Sequence, residues 1–130
     1  MNFYFDENLP PRISKALNEL EGKDNNIYHT QLEFKKGVKD PDLYPLLKDN
    51  DGILITNDLK MLSRTAERSL IITYKISVVF IKFASGSNFV TKYQLIFKKW
   101  EEIKDELKNN KLPIMFIVKP VGKNQLLDYE

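Results

Sequence analysis

Apolar and polar residues alternate along the chain in blocks that predict strands separated by helices. Short runs of branched and aromatic residues, each ended by polar or small residues, are typical of buried strands. We expect strands at 2–5, 26–30, 53–56, 76–83 and 112–119. Apolar residues at helical spacing predict a helix after each of the first four strands. This alternation predicts an α/β domain with a largely parallel sheet and helices packed on it.

Several helices are predicted in more detail. The first begins at the Pro10-Pro11 pair, and Ile13, Leu17 and Leu20 form its apolar face. The polar stretch 31–39 predicts a loop, and a second helix begins after it. The third follows Asp58 and runs without a break to about Arg68.

The longest predicted helix spans about 89–109 and carries one apolar stripe. Its members are Tyr93, Ile96, Phe97, Trp100, Ile103 and Leu107. Core packing is the first interpretation of this stripe. A dimer or partner surface around Trp100 is the alternative, since aromatic residues are enriched in interfaces. The tail after this last predicted strand ends in polar residues.

Acidic residues lie where a parallel sheet places its ligands, outside the carboxyl ends of the strands. Asp6 closes the first strand and Asp58 closes the third. Asp40 and Asp42 begin the helix that leads into that third strand. If the first and third strands are neighbours, these carboxylates converge, and a hard cation such as Mg²⁺ or Mn²⁺ relieves their repulsion. The alternative is helix capping by Asp40 and Asp58, with Asp42 favourable in a first turn.

Charge is unevenly distributed along the 130 residues, although the formal net charge is only +2. Residues 1–58 carry 7 basic and 11 acidic side chains, whereas residues 59–100 carry 8 basic side chains and one acid, Glu67. Lys60, Arg64 and Arg68 recur at a spacing of four and share one face of the predicted helix. That face either holds an RNA backbone or is simply solvated. Arg12 approaches the same region from the first helix.

Composition excludes some classes of protein. The chain contains no cysteine, which excludes disulfide scaffolds, zinc–thiolate sites and cysteine nucleophiles. One histidine, His29, gives no nucleophilic triad and is interpreted as structural or merely exposed. Asp6 and Glu7 interrupt any N-terminal signal pattern, and no apolar run approaches the length of a membrane span. We therefore expect a single cytoplasmic domain covering residues 1–130.

Two motifs resemble the PIN-like ribonucleases, in particular a VapC-type toxin subgroup. The first is the opening F-D-E-N-L-P-P-R at 5–12, and the second is the strand end I-L-I-T-N-D at 53–58. Asp40-Pro41-Asp42 lies between them, and the segment from Val79 to Lys82 with the Trp100 helix is also similar. The resemblance implies a three-layer α/β/α sandwich and an endoribonuclease dependent on Mg²⁺ or Mn²⁺. It also implies a small antitoxin partner and a homodimer.

The same resemblance assigns roles to individual residues. Asp6, Asp58 and a middle acid would be catalytic and hold the metal; Asp42 is preferred for the middle position over Asp40. The residues implied to shape the pocket are Glu7, Asn8, Thr56 and Asn57. Fuller versions of the pattern carry a fourth carboxylate soon after the strand-end acid, whereas the next acid here is Glu67.

Two other functions fit parts of the sequence. A catalytically inactive PIN-like domain would keep the fold and the basic face and bind RNA or protein. A phosphoacceptor receiver domain also has an acidic pair after its first strand, an acid after its third and a lysine after its last, which Asp6-Glu7, Asp58 and Lys119 match. The receiver leaves the Asp40-Pro41-Asp42 segment unexplained.

Overall fold

The apolar runs of the sequence form one sheet in the computed structural model, which describes residues 1–34 and 41–129. Within those residues the sheet has six strands in the order β2-β1-β3-β4-β5-β6. Their bounds are β1 Asn2–Phe5, β2 Asn26–His29, β3 Gly52–Thr56, β4 Val78–Ile81, β5 Met115–Val118 and β6 Gln125–Leu127. The first five strands pair in parallel, and β6 is antiparallel to β5. The predicted parallel sheet is confirmed.

Helices connect the parallel strands, as parallel pairing requires. They are α1 Pro11–Glu21, α2 Thr30–Glu33, α3 Leu43–Asp49, α4 Thr65–Thr73 and α5 Phe89–Lys108, with a 3-10 helix at Leu59–Ser63. Pro11 begins α1 at a position where its missing amide hydrogen is not needed. No helix among the described residues has the length and apolar character needed to cross a membrane.

Alternation along each strand sends side chains to both faces of the sheet, and each face has its own core. Phe3, Phe5 and Ile55 pack with α1 and α5, whereas Tyr4 and Leu54 pack with α3, α4 and the 3-10 helix. The result is the three-layer α/β/α sandwich. Because β1 and β3 are covered on both faces, the residues that follow them are accessible only at the end of the sheet.

Several details of local structure differ from the predictions. Leu20 is 76% exposed, because Glu21 follows Ile13 and Leu17 at a spacing of four and takes the inward position, where it binds Trp100 and Lys104. Phe97 in α5 is also exposed. The predicted loop at 31–39 begins inside the short helix α2. The polar tail contains β6, which covers the edge of β5.

The predicted helix from Asp58 to Arg68 is two helices. Asp58 caps a 3-10 helix, and its side chain accepts a hydrogen bond from the Lys60 amide at 3.2 Å. The chain becomes extended at Arg64, and α4 begins at Thr65. Lys60 and Arg68 therefore belong to different helices, and the prediction that Lys60, Arg64 and Arg68 share one helix face is wrong.

Candidate active site

The carboxyl ends of β1 and β3 lie side by side. The strands pair in parallel with Phe5 opposite Ile55, and the Asp6 amide continues the pairing by donating to the Ile55 carbonyl at 3.0 Å. Asp6 therefore leaves β1 beside Thr56, the last residue of β3. The expectation that the first and third strands are neighbours in the sheet is confirmed.

Asp6 is buried although it carries a carboxyl group, with 5% of its surface exposed. Its Oδ1 accepts a hydrogen bond from the Asn8 amide at 2.8 Å, and its Oδ2 accepts one from the Thr56 hydroxyl. Burial raises the pKa of Asp6; the hydrogen bonds from Thr56 and Asn8 lower it in part, and the charges of Glu7 and Asp58 raise it further. A cation placed beside Asp6 would therefore favour the ionised form of its carboxyl group.

Asp58 lies in a more open environment on the other side of Thr56. Its side chain is 19% exposed, and its Oδ2 forms an ion pair with Nη1 of Arg64 at 2.9 Å. Its Oδ1 accepts from the Lys60 amide, so the predicted capping role of Asp58 is confirmed, for the 3-10 helix. A capping carboxylate keeps further lone pairs, so capping does not prevent the same group from binding a ligand.

One hydroxyl group connects the two acids. Thr56 is fully buried, donates to Asp6 and accepts from the backbone amide of Asp58 at 3.0 Å. A threonine at this position uses its donor and an acceptor at once, which a valine of the same shape cannot do. Thr56 therefore fixes the two acidic positions relative to each other.

Asn57 directly precedes Asp58 in the sequence and carries an amide oxygen. Its side-chain Oδ1 is buried and has no hydrogen-bond partner among the described residues. An unpaired buried carbonyl oxygen is costly unless a ligand or ion satisfies it. Amide and carboxylate oxygens are the ligand types that Mg²⁺ and Mn²⁺ prefer, so Asn57 is a candidate donor next to Asp58 in the sequence.

The middle acid is not part of this arrangement as the structure shows it. Asp42 is exposed at the start of α3, where its side chain makes no capping hydrogen bond. Asp40 lies outside the described residues, and so does its predicted capping role. Within residues 1–34 and 41–129, no three acidic or histidine side chains are close enough together to hold a metal ion. An ion held by Asp6, Asp58 and Asn57 alone would keep several of its waters.

Two of the residues implied to shape the pocket lie in the turn after β1. The Asn8 amide binds Asp6, as above. Glu7 is exposed, and its Oε2 accepts from the side chain of Gln31 at 3.4 Å. The turn is closed further by the Leu9 amide, which donates to the Asp6 carbonyl at 3.0 Å.

The basic residues have different partners. Arg64 forms ion pairs with Asp58 and Glu67 through the same nitrogen, at 2.9 Å each. Both acids raise the pKa of the Arg64 guanidinium, and Glu67 has the larger effect. Arg68 donates to the Asp128 carbonyl at 2.9 Å and so holds the tail after β6. Lys60 and Arg12 are exposed and form no ion pair with any carboxylate in the described part of the chain.

The sequence predicted that Glu67 lies well beyond Asp58 along one helix. In the structure the two acids contact the same arginine. The break at Arg64 redirects the chain, so that Glu67 and Asp58 share one guanidinium. Only the spacing of three between Arg64 and Glu67 signals this ion pair in the sequence.

His29 is a structural residue, as the sequence analysis expected. It is 1% exposed at the end of β2, its Nε2 lies 2.7 Å from the Leu9 carbonyl, and its Nδ1 accepts from the Gln31 amide. The ring therefore donates through Nε2 and ties the neighbouring strand to the turn that carries Asp6. In the sequence, the only indication of this structural role was a lone histidine near a short predicted strand.

Comparison with known proteins gives one relationship. Searches against curated proteins and against solved structures find no match. The sequence matches the family described as PIN like domain over residues 1–83, which include β1 to β4 and both strand-end acids. The matched part is more than half of the chain. Proteins with this domain are generally nucleases, and the chain belongs to the PIN-like domain family.

Proposed function

We propose that this protein is a metal-dependent endoribonuclease that hydrolyses RNA phosphodiester bonds at the joined ends of β1 and β3. The observation that carries the proposal is the connection of Asp6 and Asp58 through one buried threonine hydroxyl. The family adds that this kind of domain is generally a nuclease. Metal dependence, RNA as the substrate and the individual roles of these residues are parts of the proposal.

Asp6, Asp58 and Oδ1 of Asn57 would hold Mg²⁺ or Mn²⁺. Asp42 or Asp40 is proposed to supply the middle acid. Such an ion, when bound, lowers the pKa of a water molecule and stabilises negative charge on a phosphoryl group. The donor set supports a hard cation because it consists of oxygen atoms, one of them buried and unpartnered.

The side chains of the site have separate tasks. Thr56 and the Asn8 amide hold the Asp6 carboxylate in one orientation, which limits the reorganisation needed for the reaction. Arg64 balances the charge of Asp58 and Glu67 and is near enough to the acids to contact an RNA phosphate. Lys60, Arg68 and Arg12 would add phosphate contacts, which give affinity without sequence selectivity.

The biological setting belongs to the proposal as well. The opening F-D-E-N-L-P-P-R resembles VapC-type toxins, and we propose on that resemblance that the protein is the toxin of a type II toxin–antitoxin pair. A small antitoxin would then be its protein partner, a homodimer its assembly and the cytoplasm its location. The family match supports a nuclease-type domain over the receiver-like alternative.

A catalytically inactive PIN-like domain that binds RNA or protein is the second candidate. Two observations favour it: the described residues bring only two acids to Thr56, and Arg64 already forms an ion pair with one of them. In that case the basic side chains would bind RNA without cleavage.

Cleavage of a mixed RNA pool with Mn²⁺ or Mg²⁺ separates the two candidates. We expect wild type to cleave, and Asp6→Asn and Asp58→Asn to lose at least about 100-fold in rate. A chelator should abolish cleavage. Asp49→Asn is the matched control, because Asp49 is an exposed acid at the end of α3 and leads into the start of β3. Absence of cleavage by wild type, or equal cleavage by the Asp6 and Asp58 variants, would contradict the nuclease proposal.

A further inference from the structure

A cluster of partly exposed aromatic side chains lies beside the candidate site, where β4 passes into α5. Phe89, the first residue of α5, is 65% exposed, and its ring centroid lies 6.3 Å from that of Tyr93. Nζ of Lys92 lies 5.4 Å from the centroid of the Phe83 ring and 5.8 Å from that of Phe89. We call Phe83, Phe89, Tyr93 and Lys92 the aromatic–lysine cluster.

The cluster is located at the same edge of the sheet as the two acids. β4 pairs in parallel with β3 with Thr56 opposite Phe80, so the residues after Ile81 leave the sheet next to those after Thr56. α5 begins at this edge because it returns the chain to the start of β5. Strand spacing of about 5 Å makes β4 the next position along the edge from the acids.

The segment that carries the cluster has charge of one sign. No aspartate or glutamate occurs between Arg68 and Trp100 in the sequence. Lys82, Lys92 and Lys98 form no ion pair with any carboxylate in residues 1–34 and 41–129. Lys98 also lines a shallow groove with Phe83, Leu95 and Pro120. The surface therefore offers unpaired positive charge together with an exposed ring, and so complements a polyanion that carries flat apolar groups.

We infer that the aromatic–lysine cluster is a stacking platform for unpaired bases of the RNA. Bases stack on exposed aromatic side chains without regard to sequence, while lysines hold the phosphates between them. A duplex buries its base faces and cannot stack on Phe89 in this way. The inference deepens the proposed function and rests on it for the identity of the ligand as RNA.

The test measures binding without cleavage. Radiolabelled single-stranded RNA of about 10 nucleotides is bound to full-length protein in chelator and retained on nitrocellulose. We expect Phe89→Ala to weaken binding about 5- to 100-fold and Phe89→Trp to retain it. Val90→Ala is the matched control, because Val90 is 64% exposed at the next position and carries no ring. Duplex RNA should bind more weakly than the single strand.

An abasic strand of equal length separates stacking from charge. On that strand we expect wild type and Phe89→Ala to bind equally, whereas Lys92→Gln should weaken binding to both strands. Equal binding of the normal strand by wild type and Phe89→Ala would overturn the platform and assign the exposed rings to a protein interface. The same would follow if wild type bound no RNA, or if the Phe89→Ala loss persisted on the abasic strand.

The outcome is independent of catalysis. Binding is measured in chelator and the platform uses none of the acids, so cleavage does not enter the readout. If wild type fails to cleave but Phe89→Ala still weakens binding, the nuclease proposal fails and the platform stands. If cleavage is intact and Phe89→Ala binds normally, the platform fails and the nuclease proposal stands.

Discussion

Asp6 and Asp58 end neighbouring strands and contact the same threonine, but they are stabilised in opposite ways. Asp6 is buried and held by a neutral hydroxyl and a backbone amide. Asp58 is partly exposed and held by the charge of Arg64. The first environment fixes geometry and disfavours ionisation, whereas the second is an ion pair that salt weakens. The pair shows how one sheet edge can hold two carboxyl groups in unlike environments.

The largest effect is expected from removing the shared hydroxyl. Thr56→Val leaves the Asp58 amide without its acceptor and Asp6 without a donor, so it disturbs both environments at once. We expect a loss of about 1–3 kcal/mol in the free energy of unfolding. Cleavage should fall about 10- to 100-fold, as for other residues that orient metal ligands. Urea unfolding and the RNA cleavage assay measure the two effects.

Thr73→Val is the control for that substitution. Thr73 is exposed at the end of α4, so the same chemical change there should leave both quantities near wild type. Normal cleavage by Thr56→Val would contradict the connecting role of the hydroxyl.

The next effect concerns the pH dependence of stability. The pKa of Asp6 is raised in the folded state above its ordinary value of 3.8, so the folded protein binds more protons than the unfolded chain just above that pH. Stability contributed by protonated Asp6 is therefore present at low pH and is lost as pH rises through the folded pKa. Asp6→Asn removes this loss, and we expect a flatter stability profile and higher stability at neutral pH.

Urea unfolding at several pH values between about 4 and 8 measures that profile. Asp49→Asn, which changes an exposed carboxylate, should keep the slope of wild type. A lower stability of Asp6→Asn at neutral pH would show that the charged form of Asp6 stabilises the fold and would refute the contrast with Asp58.

A smaller effect is expected on the Asp58 side. Arg64→Gln releases Asp58 from its ion pair, so less Mn²⁺ should be needed for half-maximal cleavage. The thermal unfolding midpoint should change little, because the pair is exposed. Lys111→Gln, an exposed change after α5, is the control. An increased metal requirement would mean that Arg64 assists the metal site and does not compete with it.

The smallest effect is expected from Glu67→Gln, with the opposite sign. Arg64 divides its interaction between Glu67 and Asp58, so loss of the Glu67 charge strengthens its hold on Asp58. The metal requirement should rise slightly. In the double variant with Arg64→Gln, a competing role of Arg64 predicts that the Glu67 effect disappears. Persistence of the effect in the double variant would instead indicate that Glu67 contacts the metal.

The sequence was sufficient for the parts of the site that depend on strand order. Asp6 and Asp58 stand at the ends of apolar runs, and parallel pairing of those runs brings them to one edge. Capping by Asp58 follows from its position before a helix. The role of Thr56 as a bridge was not derivable, because it depends on a register that a single sequence does not state.

The sequence was misleading where packing overrides local pattern. Nothing between Leu59 and Thr65 is a glycine or proline, so a continuous helix was the natural prediction. In the structure the helix is interrupted at Arg64, and Met61 of the 3-10 helix is buried in the core. Leu20 was predicted to be part of the apolar face of α1. The inward position is taken instead by Glu21, and a glutamate was not expected there. The Asp40 prediction falls outside the described residues, and the middle acid remains a proposal.

The packing of Trp100 gives the protein a built-in optical probe. The sequence contains one tryptophan, and its ring lies 4.9 Å from that of Phe3 and 6.3 Å from that of Phe5, with an indole N–H that donates to Glu21. Phe5 is the residue directly before Asp6. Tryptophan fluorescence, excited selectively over the tyrosines, therefore comes from a single position behind the acids, so changes in β1 on ion or RNA binding can be followed without attaching a dye.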